Sequence, residues 1–121
     1  MPGEVRHIIF SDAEVLTALT EYRKRRSQSL PSSEDVEVTI RDKPKTLVTL
    51  AIVPKGKKMP IEFVFEGEEL AAALIMYCIR RKIPLPATGV SKSIQLVGDS
   101  IALQILKDVT REQMDALSDL L

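Results

Sequence analysis

Residues 10–31 recur 55 positions later, and no other feature of the chain constrains its fold as strongly. Laid without a gap over residues 65–86, the segment matches at nine of 22 positions: Phe10/Phe65, Glu14/Glu69, Ala18/Ala73, Leu19/Leu74, Tyr22/Tyr77, Arg25/Arg80, Arg26/Arg81, Leu30/Leu85 and Pro31/Pro86. Looser similarity follows the prolines, where residues 36–40 and 47–52 fall opposite 94–96 and 101–105. Self-similarity at a fixed offset reads as duplication of one supersecondary unit.

The unit is predicted to be strand, helix, strand, strand. Residues 6–10 form a short strand. Ser11 then supplies a helix N-cap with Glu14 three residues on, the two halves of a capping box. Val15, Leu19 and Tyr22 recur at helical spacing opposite Thr17, Thr20, Glu21 and Lys24, so helix one is expected to bury one face. Residues 27–33, with Pro31, end it. Val36, Val38 and Ile40 alternate with polar neighbours as in a half-buried strand, residues 42–45 read as a turn, and the β-branched run 46–53 suits a central strand. Lys55-Gly56-Lys57-Lys58 is a basic turn into the second unit. There Ile61, Phe63 and Phe65 alternate, and helix two starts behind Glu66, Glu68 and Glu69, whose charges suit the positive end of a helix dipole. Gly98-Asp99 is placed as a two-residue hairpin turn between strands 93–97 and 101–105. Thr110 and Gln113 form another capping box, opening a final helix whose apolar side is Met114, Leu117, Leu120 and Leu121.

The expected fold is α+β: a duplicated β-α-β-β unit, giving a mostly antiparallel sheet of about six strands with two helices on one face and a C-terminal third helix packed near the second. It is expected as one domain over residues 1–121, with repeat one at 5–53, repeat two at 60–106 and the last helix at 110–121.

The two copies differ where new contacts are expected. Thr17, Thr20, Glu21, Arg23 and Lys24 are replaced by Ala72, Ile75, Met76, Cys78 and Ile79, making helix two apolar almost all round. A cover is therefore expected over Ile75, Met76 and Ile79, supplied by Met114 and Leu117 of the final helix, by a symmetric second chain, or by both.

The inventory of chemical groups is thin. His7 is the only histidine and Cys78 the only cysteine, so no metal site at familiar ligand spacing can be assembled and no cofactor is expected. The Lys55–Lys58 turn lacks phosphate-loop spacing, and Glu66, Glu68 and Glu69 are explained by the helix start. Basic clusters close both repeated helices, Arg23-Lys24-Arg25-Arg26 in one copy and Arg80-Arg81-Lys82 in the other, with Arg25/Arg80 and Arg26/Arg81 as matched pairs. Cations at a helix C-terminus are favoured by its dipole, and paired arginines also bind phosphate. Seventeen Lys and Arg balance seventeen Asp and Glu, while aromatics number five, which argues against a wholly basic nucleic-acid binder that stacks bases.

The longest apolar run, residues 70–79, is too short for a membrane span. The first residues lack the layout of a signal peptide, so a cytoplasmic location is expected. The functional expectation is a non-enzymatic regulatory or scaffolding module acting through protein contacts as a homodimer. The alternative is binding of nucleic acid or a phosphorylated ligand through the arginine clusters.

Overall fold

The computed structural model describes residues 2–42, 45–85 and 90–120, and for residues 90 and 118–120 the backbone alone. In chain order the elements are β1 (Glu4–Phe10), α1 (Asp12–Arg25), β2 (Val36–Arg41), β3 (Leu47–Ile52), β4 (Ile61–Glu66), α2 (Gly67–Arg80), β5 (Val90–Val97), β6 (Ser100–Lys107) and α3 (Arg111–Leu120). The α+β class and the antiparallel strands are those expected. Three features of the sequence reading, Pro86 in the repeat match, Lys43-Pro44 in the turn after β2 and Leu121 in the last helix, lie outside the described residues.

Both repeated helices are 14 residues long, and their ends keep the 55-residue offset. Their exits match as well. After α1, Ser27 donates its N–H to Lys24 and Gln28 to the Arg23 carbonyl; after α2, Lys82 donates to Ile79 and Ile83 to Cys78. These are the 5→2 and 6→1 bonds of a Schellman motif. They place Ser27 at φ 58° and Lys82 at φ 57°, in the left-handed region.

The strands pair across the repeats. Two three-stranded sheets form, in the orders β1-β6-β5 and β2-β3-β4. Each repeat contributes the hairpin of one sheet and the first strand of the other, so the pairing scheme is unchanged when the repeats are exchanged. Phe10 lies opposite Ile101, and its counterpart Phe65 lies opposite Val48. The sequence pattern says which side of a strand is apolar, and one six-stranded sheet would satisfy it equally. Two sheets bring both inner faces and both helices onto a single hydrophobic cluster, which includes Phe10, Leu19, Leu50, Phe65, Leu74 and Leu103.

Gly98 has φ +62° at the first of two turn residues between Val97 and Ser100, as a type II′ hairpin requires. The final helix opens on its expected box, with Thr110 N–H donating to Gln113 Oε1 and Gln113 N–H to Thr110 Oγ1. Its position corrects the expectation of packing near α2. Helix α3 lies at the start of β1, where Ala116, Leu117 and Val109 share a cleft with Gly3 and Val5. A Cβ on Gly3 would stand 2.6 Å from Gln113 Oε1 and 3.0 Å from the Asp108 carbonyl, so this approach needs glycine.

Candidate interaction surface

Strand alternation gives each sheet an inner and an outer face, and the two outer faces differ in chemistry. Outside β2-β3-β4, cross-strand rows run Glu37–Ala51–Glu62, Thr39–Thr49–Val64 and Arg41–Leu47–Glu66. Four of these nine residues are charged, and Glu66 also pairs with Lys45 at 2.9 Å. That is a solvated face. Outside β1-β6-β5, the rows are Ile9–Ala102–Gln95, His7–Gln104–Ser93 and Val5–Leu106–Ser91. None of these nine is Asp, Glu, Lys or Arg, although those four types make up 28% of the chain.

This uncharged face is partly apolar and partly hydrogen-bonding. Ile9 is 53% exposed, Val5 39% and Val97, beside the hairpin turn, 36%. At the centre, Ala102 and Gln104 are buried on the middle strand, and the Gln104 amide nitrogen lies 3.1 Å from His7 Nε2. Helix α3 borders one end through the cleft at Val5. His7 thus belongs to a row without Asp, Glu, Lys or Arg on this face, and its hydrogen-bond partner is the Gln104 amide.

The arginine clusters are interleaved with carboxylates. Arg81 stacks 3.8 Å over the Tyr77 ring and holds Glu21 of α1 through two bonds, Nη2 to Oε1 at 3.0 Å and Nη1 to Oε2 at 3.2 Å. Arg80 approaches the same carboxylate at 3.9 Å. The matched Arg26 stacks on the matched Tyr22 at 5.6 Å, but the counterpart of Glu21 there is Met76. Arg26 shares a cleft with Tyr22, Gln28, Glu68 and Glu69 at the start of α2. Arg25 and Lys82 are exposed.

The same helix pair carries further polar contacts. Tyr77 Oη donates to Glu14 Oε2 at 3.3 Å, and its ring meets Phe10 edge-on at 5.8 Å. Arg23 Nε binds Glu69 at 2.8 Å while its guanidinium lies 4.8 Å from the Phe65 centroid. The Ser11 backbone and side chain hold the Glu14 carboxyl below its ordinary pKa, with help from Tyr77 and Arg81. Arg81 lowers Glu21, and Glu21 in turn raises Arg81. Burial pushes up the Tyr77 phenol and the Cys78 thiol, so neither is primed as a nucleophile.

The apolar side of α2 is only partly covered. Ile75 packs at the margin of the core, Met76 is half-buried, and Ile79 is 63% exposed. Met114 and Leu117 are half-buried on α3, with Leu117 in the β1 cleft. Among the described residues, no group of three His, Cys, Asp or Glu side chains is placed to hold a metal ion, and no helix is long and apolar enough to cross a membrane. Comparison of the chain with protein-family models, curated proteins and solved structures gives no match.

The uncharged face escapes a reading of the sequence because it joins β1 to the distant β5-β6 hairpin, with paired residues such as His7 and Gln104 lying 97 positions apart. Within any one strand the signal is slight. It emerges only when β1 is placed beside β6.

Proposed function

We propose that this chain is a non-enzymatic regulatory or scaffolding module that acts through protein contacts, and that it pairs with a second copy of itself through the outer face of β1-β6-β5. The observation that carries the reading is the absence of charge from all three rows of that face. In a two-fold interface, residues near the axis meet their own copies, so a charge there would face its like. Interface centres are accordingly depleted of charged residues. The Ser, Gln and His side chains supply donors and acceptors that a second copy can meet, while Ile9, Val5 and Val97 supply apolar area. The arginine clusters support polyanion binding less well, because Arg80 and Arg81 face Glu21.

The test is sedimentation of the wild type and of Ile9→Glu across a concentration series. The wild type is expected to associate to twice its chain mass, and Ile9→Glu to stay monomeric with unchanged circular dichroism, since an unpaired carboxylate in an apolar interface is strongly unfavourable. A wild type that stays monomeric, or a variant that still dimerises, would overturn the reading.

A further inference from the structure

Neither half of this molecule is complete without the other. In the first half, β1 has no strand partner of its own and pairs with β6; in the second, β4 pairs with β3. The side-chain contacts between distant elements cross in the same way: Arg23 to Glu69, Arg81 to Glu21, Tyr77 to Glu14, Lys45 to Glu66 and Arg6 to the Pro84 carbonyl. A half by itself would expose an unpaired strand and the inner face of a lone hairpin, which is marginal in water.

We infer that the halves are exchangeable between copies: the surface that each half presents to its own partner fits the same half of a second chain, giving an intertwined dimer in which each fold is assembled from two chains. This is independent of the outer-face dimer, which joins complete folds. One link controls the choice. Residues 53–60 connect the halves, and their hydrogen bonds run to the first half or within the link: Val53 N–H to Asp35, Lys55 N–H to Ser32 and Lys57 N–H to Pro54. The lysines and Met59 are exposed. A short flexible link gives its ends an effective concentration of roughly millimolar, which favours closure within one chain. Removing the slack reverses the preference, the usual route to swapped dimers.

The register makes this testable. Ile52 and Ile61 are cross-strand partners. Deleting residues 54–60 leaves Val53 between them, so the two isoleucines stay on one face of a continuous strand. One residue cannot close a hairpin. The continuous strand can instead pair antiparallel with its copy, Ile52 of one chain against Ile61 of the other and Val53 against Val53, which keeps every β3–β4 contact.

The deletion is made in the Ile9→Glu chain, so that outer-face association cannot be mistaken for exchange. Sedimentation is expected at twice the chain mass, with native circular dichroism and no dissociation on dilution. A folded monomer would overturn the inference. A second arm guards against failure of the deletion chain to fold. Full-length Ile9→Glu molecules carrying two different fluorophores are unfolded together, refolded at roughly millimolar concentration and then diluted. Exchange predicts energy transfer that survives dilution. An unfolded deletion chain together with no transfer overturns the inference as well.

Discussion

Ser27 and Lys82 occupy matched left-handed positions after their helices, where an L side chain is disfavoured by roughly 1 to 2 kcal/mol. Glycine relieves that strain but adds freedom to the unfolded chain, worth about 0.5 to 1 kcal/mol in the opposite direction. Ser27→Gly and Lys82→Gly are therefore each expected to raise stability by about 0.5 to 1 kcal/mol in denaturant titrations; a loss in both would contradict the left-handed assignment. Glu14 and Glu21 set the acid response. Their folded pKa values lie below the ordinary 4.5, so their contribution is present above that pH and is lost as pH falls through the folded values. Glu14→Gln and Glu21→Gln should flatten the acid limb of stability against pH. Tyr77 and Cys78 act at the other end. Their pKa values are raised from 10.0 and 9.0 by burial, so stability should decline as pH climbs above about 9 to 10.

At the scale of elements, the legible parts were those with local chemistry. The boxes at Ser11/Glu14 and Thr110/Gln113 place two helix starts, and both form. Alternation at Val36–Ile40 and Ile61–Phe65 places two strands, and Gly98-Asp99 places a turn. Ser11→Ala is expected to cost about 1 kcal/mol through loss of the α1 cap. Helix α2 has no side-chain cap, and its first residue, Gly67, stands at φ +55°. Gly67→Ala is expected to cost about 1 to 2 kcal/mol, whereas Asp12→Ala, at the matched position, lacks that penalty. The helix exits were not legible as Schellman motifs, because Ser27 and Lys82 stand where glycine usually marks one. Strand partners were not legible either. Alternation orients a strand but does not choose its neighbour, so β1 reads identically whether it joins β2 or β6.

At the scale of the whole molecule, the choice of neighbours decides everything that follows. The apolar surplus of α2 predicts a cover from the last helix, from a second chain or from both; α3 folds instead onto β1, and within one chain Ile79 is exposed. Helix α3 is tied to β6 by three residues, and the missing side chain of Gly3 lets its start approach β1 closely. Because both sheets and both helices share one cluster, unfolding should be a single transition. Leu19→Ala and Leu74→Ala, both fully buried at matched sites, should each lower its stability by about 2 to 5 kcal/mol. Separate transitions for the two halves in calorimetry would contradict a shared core.

The most direct test of the uncharged face is the response of its methyl groups to a soluble paramagnetic probe at a concentration where the proposal expects association. Within one copy Ile9 and Val64 are similarly exposed, at 53% and 51%, on the outer faces of the two sheets. If a second copy covers β1-β6-β5, the Ile9 methyl signals, with those of Val5 and Val97, are shielded from the probe while Val64 is broadened. Equal broadening of Ile9 and Val64 would show that both faces stand open to water and would contradict the proposed interface.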